Sequence, residues 1–393
     1  MPVDGSLPDS ALAEVAGIPL AVYLHVPFCA ARCGYCDFNT YVPGSAGLGG
    51  TGFEDFLTAA HREIDLAGRV LAQAPAASSV FFGGGTPTLL PASDLVDLLD
   101  HVRDTFGLTP DAEVTTEANP ESVDLDYLGR LVDGGFTRIS LGMQSAVPGV
   151  LARLDRRHTP GRALQAAVWA HQAGFAEVNL DLIYGTPGET LEDWRESVQA
   201  ALSVGPEHLS AYALVVEPGT ALGRKVARGE LGAPDDDDQA DKYLLADDLL
   251  SGAGFANYEI SNWARGVEHR ARHNLAYWRG YNWWGIGPGA HSHVGGVRWW
   301  NVRQPRSYAQ RLAQGVSPGA GREVLDAETR RFERVLLELR LADGLPTSVL
   351  SPAETRRVPG LVGRGLVDQQ DGRLVLTRNG RLLADAVVRD LTA

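Results

Sequence analysis

The chain has 393 residues, a net charge of -14 and three cysteines. Its length suits two or three domains with a sizeable core. The charge opposes broad binding to nucleic-acid phosphates, and so few cysteines exclude a disulfide framework and suit a reducing compartment. In chain order, 1–18 reads as an acidic N-terminal arm without the basic start of a secretory leader. No apolar run approaches ~18 residues, so no membrane span is expected. The expected location is the cytoplasm, with a peripheral position at the inner membrane face left open.

From about 20 to 216, buried-type apolar runs alternate with helical spacing. The segments 21–26, 79–82, 113–116, 138–141, 177–183 and 208–215 read as strands, and 93–106, 124–132, 161–172 and 191–202 as helices. Strands alternating with helices imply parallel βαβ units. Six units rather than eight suggest a partial (β/α)6 barrel, which would carry its chemistry at the C-terminal strand ends.

The three cysteines, Cys29, Cys33 and Cys36, form a C-x3-C-x2-C array just after the first strand. Such an array can hold three irons of a cubane and leave the fourth open. The competing readings are reduced core thiols, or a zinc site lacking its fourth ligand. This array resembles the radical S-adenosylmethionine (SAM) superfamily. That resemblance implies a partial (β/α)6 radical SAM barrel, a [4Fe-4S] cluster, SAM chelated at the open iron, and an electron donor for the cluster. In that superfamily, electron delivery can cleave SAM to a 5'-deoxyadenosyl radical.

Further motifs fall at or just after strand ends. FGGGTPT at 82–88 ends the second strand, and successive glycines let backbone approach a ligand. It resembles the superfamily's SAM-amino motif and nominates Gly84, Gly85 and Thr86. Glu117 and Gln144 close the third and fourth strands. Asp181 alternates with apolar neighbours in NLDLIYG at 179–185, and a lone inward acid is costly unless paired. Arg156 is suited to a SAM carboxylate; Arg153 and Arg157 compete, and the resemblance decides between them. Tyr23 precedes the first cysteine by six residues, and Tyr35, directly before the third, is placed to stack on adenine.

The phrases HVPFC at 25–29, GGGTPT at 83–88, LDLIYG at 180–185 and EPGT at 217–220 resemble the anaerobic coproporphyrinogen III oxidase branch, and within it the heme-chaperone relatives of the oxidase. Two departures from the oxidase pattern oppose decarboxylase activity. Phe38 stands where the oxidase has a further cysteine, and only about 20 residues precede the first strand.

The region 226–320 reads as an irregular, aromatic-rich extension of the barrel, which is assigned to 19–225. The acids at 235–238 read as the solvated start of a helix. HNLAYW at 273–278 matches the H-N-x-x-Y-W motif of the chaperone relatives, which nominates His273, Asn274, Tyr277 and Trp278 for heme. Six of the eight tryptophans and four histidines, His269, His273, His291 and His293, lie within 263–300. An imidazole can ligate heme iron, and flat aromatics suit a porphyrin face. A plain aromatic packing surface is the alternative.

The last segment, 321–393, reads as a small α+β winged-helix-like module. Its net charge of +1 lacks the basic face of a DNA reader. The expected function is therefore a heme-binding chaperone that carries a [4Fe-4S] cluster and SAM and delivers heme to acceptor proteins, respiratory ones among the candidates. An oxygen-independent coproporphyrinogen III oxidase is the runner-up, and an RNA-modifying radical enzyme is disfavoured by the acidic balance. No nucleic-acid partner is expected, and the oligomeric state is open.

Overall fold

The computed structural model describes residues 1–393. The strands β1 (Leu20–Val26), β2 (Ala77–Gly84), β3 (Leu108–Ala118), β4 (Arg138–Gln144), β5 (Glu177–Tyr184) and β6 (His208–Ala213) lie side by side in chain order, all parallel. They are nearly continuously buried, as strands covered on both faces must be. Crossovers run through the helices Phe53–Val70, Ala92–Phe106, Leu125–Asp133, Arg162–Ala173 and Leu191–Ser203. These units bear out the expected partial radical SAM barrel.

The helix Phe53–Val70 has no counterpart in the periodicity reading. Its inner stripe of Phe56, Ala59, Ala60, Ile64 and Ala67 is thinned by alanine and interrupted by Glu63, which is fully buried. Glu63 accepts from the Gly287 N–H at 2.8 Å, Asn301 Nδ2 at 2.8 Å and the Tyr308 hydroxyl at 2.5 Å. Burial nonetheless pushes its pKa up to about 7. The acid that hides the helix in the sequence thus ties it to the following region.

That following region, expected to be irregular, is ordered sheet. After the helix Asp236–Gly252, capped by Asp235 as the run of acids suggested, come β7 (Ala256–Glu259), β8 (Asn262–Ala264), β9 (Asn282–Ile286), β10 (His291–Val294), β11 (Val297–Asn301) and β12 (Gly319–Val324). β9 pairs parallel with β1, and β10, β11 and β12 continue antiparallel beyond it. At the other edge β8 pairs antiparallel with β6 and β7 with β8. One twelve-stranded sheet results, in the order β12-β11-β10-β9-β1-β2-β3-β4-β5-β6-β8-β7. Strands of three to six residues are too short to announce themselves by alternation.

A second core closes the chain. The helix Ala327–Glu338 packs over β13 (Leu345–Pro346), β14 (Val367–Gln370) and β15 (Arg373–Leu376), which pair in the order β13-β15-β14. Val335, Leu345, Leu361, Leu374, Val387 and Leu391 fill its interior. The chain ends in two helices, Arg378–Leu382 and Ala384–Thr392, broken at Leu383. The break lets Arg381 face the barrel extension while Val387 and Leu391 face the module. No helix is long and apolar enough to cross a membrane.

Asp247 joins the two bodies. It is buried, accepts from Trp263 Nε1 at 2.9 Å, and pairs with Arg381 through contacts of 3.1 and 3.3 Å. Removing one partner of a buried ion pair leaves the other uncompensated. Asp247→Ala is expected to destabilise this junction by about 3 kcal/mol. Hydrogen exchange of the helix Arg378–Leu382 is the check, and unchanged protection there would refute the assignment.

Candidate functional site

The cysteine loop is pinned at its ends and its middle. The Cys29 N–H donates to Tyr41 O and the Tyr41 N–H to Pro27 O. Gly34 donates to Leu154 O and accepts from the Leu222 N–H. The three thiols are unpaired, partly exposed, and line one cavity of about 400 Å³ over the C-terminal strand ends. No three metal-ligating side chains converge on a single ion position. Three thiols lining one cavity, with no fourth Cys or His in that lining to complete a zinc tetrahedron, suit a cubane with one open iron. Burial raises the Cys29 and Cys36 thiols above their ordinary pKa.

The same cavity is lined by Gly84, Gly85, Thr86, Glu117, Gln144, Arg156, Asp181 and Tyr35. Gly84 has φ +104°, and a Cβ there would lie 2.5 Å from the His25 ring. Its N–H donates to Glu117 Oε2 at 3.1 Å. Thr86 Oγ1 lies 3.8 Å from Cys29 Sγ. Gln144 follows a register shift in β4 and sits at φ +66°, a strained conformation for a residue other than glycine. Arg156 donates to Gly142 O at 2.7 Å and approaches Cys33 Sγ at 3.6 Å. Its competitors are elsewhere: Arg153 lies against Gly188, and Arg157 is exposed.

Two carboxylates face this cavity. Asp181 accepts from Ser140 Oγ at 2.6 Å and Asn179 Nδ2 at 2.8 Å, yet burial still raises its pKa. Burial first, and then the charge of Asp181, push Glu117 up to about 8. Two acids this close in a low-dielectric mouth favour a cationic ligand. Tyr23 is displaced from the group. It stacks on Phe81, and its hydroxyl meets His25 Nδ1 at 3.0 Å, beside a neighbouring cleft rather than the cysteine cavity.

The H-N-x-x-Y-W residues lie at the opposite end of the barrel. The helix Arg272–Trp278 begins on Glu113, whose carboxylate accepts from the Arg272 and His273 N–H groups at 2.8 and 2.9 Å. One His273 ring nitrogen meets Ser79 Oγ and the other the Tyr277 hydroxyl, each at 2.9 Å. Its ring stacks on Phe81, and burial lowers its pKa to about 3. Ser79 precedes Gly84 by five strand residues, a backbone separation of ~16 Å, and the Phe81 and Tyr23 rings, 5.0 and 6.4 Å from that of His273, fill the barrel between the two ends. His273 and Tyr277 share a helix face as the spacing required, but they bond to each other. Asn274 donates to Glu259, and Trp278 packs on the cluster around Tyr258 and Leu341. In this conformation His273 offers no free nitrogen to an iron.

Ser140 and Tyr212 also line the cysteine cavity without having been nominated from the sequence, and Glu217 joins them from the EPGT phrase. Ser140 lies beside Asn179 across the β4–β5 register, and Tyr212 lies two strand positions beyond Ser210, the β6 partner of Asp181. Their chemistry emerges only once the strands are aligned.

The radical SAM superfamily description matches residues 23–201. The heme chaperone HemW of Mycobacterium tuberculosis is 56% identical over 381 residues, which cover 97% of this chain and 96% of that protein. The HemW of Escherichia coli is 37% identical over 334 residues, 84% of each chain. This chain belongs to the HemW family. The solved structure of Escherichia coli coproporphyrinogen III oxidase (HemN), a radical SAM enzyme, superposes with a TM-score of 0.81 at 24% identity, covering 99% of this chain and 94% of that one. That likeness establishes the shared fold.

A family of this superfamily implies a [4Fe-4S] cluster and SAM, and the donors of the cavity fit both: three thiols, and two acids facing a sulfonium and an ammonium. Protonated Glu117 contributes no charge below about pH 8, so SAM affinity is expected to rise with pH and level off above that value. The same carboxyl favours the fold at low pH, since the folded chain retains a proton that the unfolded chain releases, and this contribution is lost as pH rises through about 8. Above about pH 8, where both carboxylates are ionised, Glu117→Gln and Asp181→Asn are each expected to weaken SAM by about 1.5–3 kcal/mol, and below it Glu117→Gln is expected to change little. Calorimetry on both sides of pH 8, with Glu117→Gln correcting for the titration of SAM itself, checks the slope. Undiminished affinity in both variants would place the pocket elsewhere.

Proposed function

We propose that this chain is a heme-carrying chaperone that holds a [4Fe-4S] cluster on Cys29, Cys33 and Cys36, binds SAM above it, and hands heme to acceptor proteins. The observation that carries the reading is the likeness to a heme chaperone across 97% of the chain, joined to the convergence of the three cysteines on one cavity. An open-iron cluster supplies electron transfer to a chelated sulfonium when it is bound. The protein's part is binding and electrostatics. Glu117 and Asp181 neutralise the cation, Arg156 is available to a carboxylate, and Gly84 and Gly85 bring backbone close to the ligand. Phe38 stands where the oxidase pattern has its extra cysteine, and its side chain is 59% exposed at the cavity rim. An aromatic there supplies contact surface rather than a thiol.

Two measurements test the proposal. Anaerobically reconstituted protein is expected to show the Mössbauer spectrum of a cubane, and Cys33→Ala to lose it; a full cubane surviving in the variant would defeat the cluster assignment. Incubation with coproporphyrinogen III, SAM and a reductant is expected to yield no protoporphyrinogen IX, whereas hemin-loaded protein passes heme to a heme-free acceptor. Repeated turnover to protoporphyrinogen IX would replace this function with the oxidase activity.

A further inference from the structure

Each cysteine sulfur of the cavity has a hydrogen-bond donor turned toward it. Arg156 Nη1 lies 3.6 Å from Cys33 Sγ, and the Phe38 N–H faces Cys36. Cys29 is approached by hydroxyls. Thr86 Oγ1 lies 3.8 Å from its sulfur, and the Thr40 side chain faces the same thiol from the far limb of the cysteine loop. Thr40 is only 6% exposed, and its hydroxyl is buried without a hydrogen-bond partner. A buried hydroxyl left unpaired is costly, and a specific one in a native site calls for an acceptor. A neutral thiol is a weak acceptor, whereas a metal-bound thiolate carries charge and accepts strongly. The orphaned hydroxyl therefore fits a Cys29 sulfur that is bound to iron.

The backbone around Thr40 is fixed by its neighbours. Phe28 and Tyr41 form a parallel bridge, in which the Cys29 N–H donates to Tyr41 O at 3.0 Å and the Tyr41 N–H to Pro27 O at 2.7 Å. That bridge sets Thr40 beside the first cysteine. On its other side stands Asn39, whose polar groups are all engaged. Its Nδ2 donates to Pro288 O at 2.9 Å and to Arg303 O at 2.8 Å. Its Oδ1 accepts from the Tyr41 hydroxyl at 3.1 Å, and its carbonyl accepts from His25 Nε2 at 3.0 Å. Gly289, at φ +78°, makes room for this amide, since a Cβ there would lie 2.8 Å from Asn39 Nδ2. Two carbonyls of the β9–β11 extension thus hold the residue before Thr40. The same extension carries the exposed His291 and Trp300, which line the neighbouring cleft with Asn39. Cys33 is held separately, through the bonds of Gly34 to Leu154 and Leu222.

We propose that Thr40 donates a hydrogen bond to the Cys29 sulfur of the bound cluster and, held in place by Asn39, raises the cluster's reduction potential. The inference rests on the cluster assignment made above and adds to it the residues that set how readily the cluster accepts an electron. Uptake of one electron from a reductant increases the negative charge shared by the sulfurs. A donor at a sulfur therefore favours the reduced form over the oxidised one. The hydroxyl moves no proton and forms no covalent bond; it acts through the charge it faces.

The test is a redox titration of full-length, anaerobically reconstituted protein with dithionite and mediator dyes, read by electron paramagnetic resonance. Thr40→Val keeps the branched shape and removes the hydroxyl. At a fixed potential it is expected to lower the ratio of reduced to oxidised cluster about tenfold, which for one electron is about 59 mV. It is also expected to remove one deuterium-exchangeable proton coupling from the electron–nuclear double resonance spectrum of the reduced cluster. Thr40→Ser keeps the hydroxyl and is expected to stay within about twofold of the wild-type ratio. Asn39→Ala is expected to shift the ratio in the same direction as Thr40→Val. A wild-type ratio and an unchanged proton spectrum in Thr40→Val would overturn the inference. Equal shifts in Thr40→Val and Thr40→Ser would overturn it too, because side-chain shape rather than the hydroxyl would be the cause. A wild-type ratio in Asn39→Ala would refute the part given to Asn39. Wild-type protein that assembles no cubane would instead remove the cluster assignment on which the inference rests.

Discussion

The carboxylate of Glu113, rising from β3, accepts the first two N–H groups of the helix Arg272–Trp278 and so fixes the plug of the barrel floor. Those groups would otherwise be buried without partners, because helix ends leave several donors unsatisfied. Around that anchor the strand starts are closed in turn. Ser79 meets His273, Arg138 donates to His269 O, Glu177 holds His269, and His208 bridges Asn179 and the Tyr258 hydroxyl. A parallel barrel left open at this end would admit water beneath its functional mouth. The polar plug fills this end with hydrogen-bonded groups, with Arg138 Nη2 and Glu177 Oε2 left without a hydrogen-bond partner.

A sealed floor changes the meaning of the acids above it. Glu117 and Asp181 sit in a low-dielectric interior where two carboxylates resist ionising together. The fold therefore carries a cost at the mouth that a cationic ligand relieves. Strain at Gln144 and the close approach of Gly84 to His25 are concentrated at the same place, consistent with a site that stores unfavourable geometry for binding. The cysteine loop covers this mouth. Asn39 ties it to the β9–β11 extension and so joins the wall bearing His291 and Trp300 to the wall bearing the thiols.

The sheet extension explains why a HemW-family chain needs more than a barrel. β9 adds to the edge beside β1 and therefore beside the cysteine loop. The winged-helix-like module docks at the opposite edge, through Asp247 on the helix Asp236–Gly252. Its net charge of +1 and its contact with the extension suit a structural or protein-contacting role.

The six parallel units and the cysteine array were legible in the sequence because each depends on local pattern, while the choice of Gly84, Gly85, Thr86 and Arg156 for the cavity rested on the family resemblance. Buried parallel strands are apolar runs, three thiols are bound by their spacing, and ligand-facing acids betray themselves as lone charges in apolar strands. Residues whose meaning depends on partners far away in the chain were not legible. Glu63 broke the stripe of its helix to reach Gly287 and Asn301, more than 200 positions away. The short strands β7 to β12 hold their conformation through pairing with one another and, at β9 and β8, with β1 and β6, rather than through propensity. His273 and His291 are indistinguishable as letters: both are histidines in an aromatic-rich stretch. Only the tertiary structure engaged both nitrogens of the first against the barrel floor and left the second open beside the thiols, because the burial and pairing of an imidazole are set by neighbours that the sequence does not place.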